Sequence, residues 1–207
     1  MILAVESAST DLSVAVADAD GSLLAQDGWS VGPRQAHELL PRLQALLQRA
    51  GGSLDAVTGI GVGLGPGSFT GLRVGMSVAK GLAFALGRPL AGVPSLAAWL
   101  ESEPEAAAAV SRAGAREAYL LIRGDDEPRV VDREQLADTR AGLMAPAELA
   151  EAFGLTDTVQ PLGAAAAVAF AAARLLSADP AGADIDRLEP VYVRAPRGIG
   201  PSAMGAR

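Results

Sequence analysis

The sequence predicts an α/β protein in which mixed sheets carry packed helices, divided into two lobes near residue 103. Three observations carry this. Strand and helix signals alternate along the first half, in the order three strands, helix, strand, helix, strand, helix. Half of the residues are apolar but only 4% are aromatic, so Ala, Val and Leu must fill the core and the elements must approach closely. A charged, Ala-rich stretch over 101–109, with Pro104 inside it, breaks the pattern. It separates a first lobe, residues 1–103, from a smaller second lobe, residues 104–207, and a chain of 207 residues can hold both.

Leu3-Ala-Val5 and Leu12-Ser-Val-Ala-Val-Ala17 are short Val-bearing runs, and Ser22-Leu-Leu-Ala-Gln26 follows the Ala19-Asp-Gly21 turn signal. Together they read as an antiparallel meander. Over 35–50 the residues Leu39, Leu40, Leu43, Leu46 and Leu47 recur at steps of three and four, one face of an amphipathic helix ended by Gly51-Gly52. Pro41 complicates its first turns. A buried strand is expected over 57–62, a second helix over 69–86 stopped by Gly87-Arg-Pro89, a strand over 90–93 and a short helix from Ser95 through Trp99. In the second lobe, 118–122 and 129–131 read as strands around an acidic turn, and 146–153 and 163–176 as helices. The Gly/Pro-rich residues 195–207 are expected to be mobile.

Composition excludes several chemistries. No cysteine means no disulfide, thiolate nucleophile or Cys-based zinc site, and the single histidine, His37, cannot build a histidine metal centre alone. A net charge of −7 repels a phosphate backbone, so any RNA contact is expected to be delegated to a partner. The apolar residues are interrupted by Gly, Pro or charge before reaching the ~20 that a membrane-spanning helix needs. Met1-Ile-Leu-Ala-Val-Glu6 lacks a basic segment and reads as a strand, so the chain is expected in the cytoplasm without a membrane partner.

The most informative stretch is Gly63-Leu-Gly-Pro-Gly-Ser-Phe-Thr-Gly-Leu-Arg73, between a strand and a helix. Ser68 can cap the helix, and Gly65, Gly67 and Ser68 could turn backbone N–H groups toward a phosphate. The Gly-Lys-Ser/Thr ending of a P-loop is absent, and so is the spacing of the dinucleotide fingerprint. A phosphate cradle and a purely structural loop both stay open. Along the following helix Gly71, Gly75, Ala79, Ala83 and Gly87 are small and four apart, a smooth stripe about 25 Å long at 1.5 Å per residue. It invites close approach either by the chain's own sheet or by a helix of another subunit. Interior glycines cost about 1 kcal/mol each relative to alanine, which an intimate contact must offset.

Gly65-Pro-Gly-Ser-Phe-Thr-Gly-Leu-Arg73 closely resembles the signature of the TsaB (YeaZ) family. Further segments agree in order: Ile2-Leu-Ala-Val-Glu-Ser-Ala-Ser9, His37-Glu-Leu-Leu-Pro41, Gly92-Val-Pro-Ser95, Glu117-Ala-Tyr119 and Glu189-Pro-Val-Tyr-Val-Arg194. The resemblance implies a two-lobed actin-like fold (ASKHA, RNase H-like) with a reduced second lobe. It also implies a role in making N6-threonylcarbamoyladenosine (t6A) in tRNA, as the partner of a TsaD-type catalytic subunit, joined by a TsaE-type ATPase, with tRNA contacted only indirectly. A homodimer through the same surface is implied when the sister is absent. The interface implied lies on the two first-lobe helices, at His37, Leu40, Leu43, Leu47, Gly71, Arg73, Gly75, Met76, Ala79, Lys80 and Ala83.

The same resemblance argues against catalysis by this chain. The sister enzyme carries two metal-binding histidines four apart after a Gly-Val strand end; here Ser95 and Trp99 follow Gly92-Val93 at those positions. A hydroxyl and an indole cannot replace two imidazole ligands. Glu6 stands where actin-like lobes place Asp. No cofactor is therefore expected in the isolated chain, with ATP or ADP and a divalent metal belonging to the partner subunits. The alternatives are an active nucleotide-binding ATPase of this fold, or a glycoprotease-like peptidase. Two departures accompany the resemblance: the second lobe is short for the family, and Arg112-Ala-Gly-Ala-Arg116 lacks an acidic residue that relatives often carry before the next strand. Arg73 could contact an acidic group or phosphate at the boundary, or pair within its own lobe.

Overall fold

The computed structural model describes residues 1–9, 11–30, 35–139, 142–159, 161 and 164–193; the tail expected to be mobile lies outside them. The expected meander forms as β1 (Ile2–Glu6), β2 (Asp11–Ala17) and β3 (Leu23–Ser30), paired antiparallel. The crossover helix α1 (Gln35–Arg49) leads to β4 (Gly59–Gly63), parallel to β1. Helix α2 (Phe69–Leu86) then leads to β5 (Leu90–Val93), parallel to β4, and α3 (Ser95–Ser102) ends the first half. The sheet order is β3-β2-β1-β4-β5.

The second half contains β6 (Ala108–Arg112), β7 (Glu117–Ile122), β8 (Arg129–Asp132), α4 (Arg133–Ala137), β9 (Leu143–Met144), α5 (Ala147–Phe153) and α6 (Ala164–Ala178). Its sheet runs β8-β7-β6-β9, with two antiparallel pairings followed by one parallel. This repeats the first sheet's plan without a fifth strand. The stretch read as a lobe boundary therefore already contains the start of a central strand.

Alternation along the strands splits the first sheet's side chains between two cores. Leu3, Val5, Val14 and Val16 face Leu39, Leu43, Leu46 and Leu47 of α1 and Met76, Ala79 and Ala83 of α2. Ile2, Ala4, Ala15 and Ala17 face α3 and the Ala-rich α6. So α6, which chain position assigns to the second lobe, packs on the first sheet, where its alanines allow close contact with β1, β2 and β4. The second sheet has its own core around Val110, Leu120, Val131, Leu149 and Phe153.

The two halves are tied at several points. Ser111 Oγ of β6 donates to the Pro66 carbonyl at 3.0 Å, in a buried position. Arg123 reaches the carbonyls of Ala106 (2.8 Å), Leu100 (2.7 Å) and Glu103 (2.7 Å), holding the end of α3 and the connector against β7. After α6 the chain returns to the first sheet: the Ala183 amide donates to the Leu90 carbonyl at 2.7 Å and the Val191 amide to the Leu64 carbonyl at 2.8 Å.

Among the described residues, α2 is the one helix long and apolar enough, by length and composition, to cross a membrane. Gly, Ser and charged residues interrupt its apolar run, so the sequence reading passes over it. Six of its residues, Gly71, Leu72, Gly75, Met76, Ala79 and Ala83, are buried against the protein itself.

Candidate functional site

The Gly-rich loop is built by close backbone approach. A Cβ at Gly67 would collide with the Ala8 carbonyl, and one at Gly71 with the Ser7 carbonyl, so only glycine lets the loop and the start of α2 lie on the turn after β1. Two of the loop's amides are used internally. The Gly65 amide donates to Ser95 Oγ at 3.1 Å and the Ser68 amide to the Ala8 carbonyl at 2.6 Å. Ser68 caps α2, accepting from the Gly71 amide at 3.2 Å. These bonds favour the structural reading of Gly65 and Ser68 over the phosphate cradle, and the Ala8 carbonyl packed against Gly67 does the same there.

Beneath the loop sits Glu6, fully buried. Burial pushes its carboxyl above the ordinary value of 4.5, while hydrogen bonds from Ser95 and the Ala8 and Ser7 amides pull the other way. Oε1 accepts from the Ala8 amide at 2.7 Å, and Oε2 has no partner. A side chain at Gly63 would overlap this carboxyl. The longer side chain of Glu thus ends in the packed interior, against Gly63. Ser95 is 1% exposed and its Oγ accepts from the Gly65 amide, and Trp99 is a core residue at 2%.

The small stripe on α2 requires a correction. Gly71, Gly75, Ala79 and Ala83, with Met76, face inward. A Cβ at Gly75 would collide with Ser7 Oγ, and Val5 lies just beyond. The close neighbour that the stripe receives is the chain's own β1 and the turn after it. Leu43 and Leu47 of α1 are likewise buried, 1% exposed each, because the leucine periodicity marks the core-facing side. These seven expected interface residues are core residues of this chain.

The outward side of α2 is different. Phe84 is 84% exposed, beside exposed Gly81 and Ala85. Arg73 is exposed and Lys80 half-buried on the same helix, and Leu40 of α1 is 45% exposed. The His37 side chain lies outside the described residues. Arg73 sets its guanidinium over the Phe69 ring, 4.0 Å from the centroid, and Tyr192 packs on the same ring at 5.6 Å. That stack fixes where Arg73 stands, and among the described residues it has no carboxylate partner. Sequence reading missed Phe84, because a single aromatic at a helix end carries no periodic signal.

Two sheets of one plan, set side by side with helices between them, define a two-lobed actin-like protein with a reduced second lobe. Residues 31–146, more than half of the chain, match the family model described as TsaD: tRNA N6-adenosine threonylcarbamoyltransferase. The solved structure of YeaZ from Pseudomonas aeruginosa superimposes with a TM-score of 0.68 and 27% identity, covering 92% of this chain and 98% of that one. The tRNA threonylcarbamoyladenosine biosynthesis protein TsaB of Escherichia coli is 38% identical over 96 residues, which span 46% of this chain but only 40% of that protein. The tRNA N6-adenosine threonylcarbamoyltransferase of Solidesulfovibrio magneticus is 50% identical over 60 residues, 29% of this chain and 16% of that protein. The chain belongs to this family, on its TsaB (YeaZ) branch.

Proposed function

We propose that this chain is the non-catalytic partner subunit of a cytoplasmic t6A-synthesis complex, binding and activating a TsaD-type threonylcarbamoyltransferase. It docks through the outward face of α1 and α2. The observation that carries the reading is Phe84, a large aromatic left 84% exposed at the end of a helix whose opposite side is fully packed. Burying a Phe side chain is worth about 1.5–3 kcal/mol, and aromatic anchors of this kind dominate association energies. Leu40 is a second exposed apolar residue, on α1, and Arg73 and Lys80 give the outer side of α2 positive charge.

The role is a supporting one. Ser95 and Trp99 serve the fold, Glu6 is sealed, and the Gly65 and Ser68 amides of the loop are occupied within the chain. ATP or ADP and a divalent metal then belong to the TsaD-type and TsaE-type subunits, and tRNA is reached through them. Without its sister the chain pairs with a second copy through the same face.

The test is co-purification with the TsaD-type subunit. Phe84→Glu is expected to weaken the pairing at least about tenfold while far-UV circular dichroism is unchanged. The same variant is expected to shift the lone chain toward monomer in sedimentation. Wild-type binding by both Phe84→Glu and Leu40→Glu overturns the assignment of this face.

A further inference from the structure

The second lobe carries a cavity of about 400 Å³ on the face of its sheet that α4 and α5 cover, a size suited to a small molecule. Its wall is built from the approach to β7, the end of β8 with the first residues of α4, and the end of α5. Alternation sets it away from the first half. Val110 and Ala118 point into the core beneath α4 and α5, so Ser111, whose hydroxyl reaches Pro66, leaves the opposite face.

Strand register brings two like charges together at this wall. β7 and β8 pair antiparallel, with Ala118 opposite Val131 and Glu117 opposite Asp132. The residues one step beyond that last pair are Arg116 and Arg133, so two arginines leave adjacent strand ends, and both line the cavity. Like charges side by side across a strand pair cost stability, and among the described residues neither arginine forms an ion pair. The Arg133 guanidinium stands against Gly154 at the end of α5, where an added Cβ would meet it. An anion between the two guanidinium groups would offset a repulsion that the fold leaves in place.

The rest of the wall narrows the ligand. Asp132 is committed to the fold, its Oδ1 accepting from the Gln135 amide at 2.9 Å as the cap of α4. Glu134 also lines the cavity, and among the described residues it forms no ion pair. That carboxylate repels a doubly charged phosphate and accepts from a cationic donor. A planar carboxylate matches the guanidinium forks. Ala115, Ala152 and Phe153 supply apolar surface between the charged groups.

We propose that this cavity binds a small apolar α-amino acid. Arg116 and Arg133 share its carboxylate, Glu134 accepts from its ammonium group, and its side chain lies on Ala152 and Phe153. The site is separate from the outward face of α2 and stands or falls independently of the subunit assignment.

Calorimetry on the full chain tests the site with L-leucine and three partial mimics: 4-methylpentanoate, which lacks the ammonium group, 3-methylbutylamine, which lacks the carboxylate, and inorganic phosphate. Leucine is expected to bind at millimolar concentration or below, and each mimic at least about tenfold more weakly, the effect of losing one charged hydrogen-bond partner. Arg116→Gln should weaken leucine by at least about tenfold with far-UV circular dichroism unchanged. Glu134→Gln should weaken leucine while leaving 4-methylpentanoate unaffected or tighter, a split that a merely structural role would not produce. The proposal is overturned if leucine does not bind at millimolar concentration, if any one mimic binds as tightly as leucine, or if Arg116→Gln leaves leucine binding unchanged.

Discussion

Ser111, in the middle of the second sheet's first strand, donates its hydroxyl to the carbonyl of Pro66 in the Gly-rich loop of the first half, at 3.0 Å. Both lie in the interior, and the bond joins residues 45 apart. The loop that carries the family signature is thus a fastening between the lobes as well as the start of α2. Ser111→Ala leaves the Pro66 carbonyl without this donor and is expected to cost about 1–3 kcal/mol. Urea unfolding checks the loss, and Ser111→Thr, which keeps the hydroxyl, should recover part of it.

Arg123 satisfies three carbonyls of the connector and the end of α3. Arg123→Ala removes them all and is expected to lose about 2–4 kcal/mol, since bonds from a charged donor are worth about 1.5–3 kcal/mol and are not additive. Limited proteolysis should show faster cleavage over residues 101–107. Arg123→Lys cannot span three acceptors and should remain well below wild type.

Glu6 links stability to pH. Burial holds its carboxyl protonated above 4.5, the ordinary value, so the folded state binds the proton more tightly than the unfolded state. The group's favourable contribution is complete below pH 4.5 and declines as the pH rises through the folded-state pKa. Glu6→Gln keeps the size and removes the titration. Its stability relative to wild type should therefore improve steadily with pH above 4.5, measured by urea unfolding across the range. A difference that stays flat with pH contradicts a buried neutral acid.

Gly75 offers a direct check on the direction of the small stripe. On an exposed helix side Gly→Ala stabilises by up to about 1 kcal/mol. Here the new methyl group meets Ser7 Oγ, so Gly75→Ala is expected to destabilise by about 1–3 kcal/mol. Gly81, with nothing within 4 Å of its added Cβ, should show the stabilising sign in the parallel substitution.

The first half of the fold was legible because each element there carries its own signal: the leucine face of α1, the Gly-Pro stop after α2, the Val-bearing runs of β1 and β2. The second half was harder. Ala108–Arg112 reads as part of a charged, Ala-rich connector, and alanine has little strand preference. Only pairing with β7 and β9 makes it a central strand. The glycine and alanine spacing on α2 correctly announced a close neighbour but could not say which one, since the same pattern serves a sheet of the same chain or a helix of another. The burial of Glu6 was equally invisible, because a carboxylate near a turn looks like solvent-facing charge until the loop closes over it. The stretch after α6 has no periodicity, and its contacts with Leu64 and Leu90 are set by the sheet it returns to.

That return has a consequence for how the protein behaves in a crowded solution. By occupying the Leu90 carbonyl on the outer side of β5, the Ala183 amide removes part of an open margin to which a foreign strand could add. Shortening the chain at residue 181 would lay that margin bare, along with the apolar surface now under Ile185, Leu188 and Val191. Slow, concentration-dependent fibre formation, followed by thioflavin fluorescence, is the behaviour expected of the shortened chain.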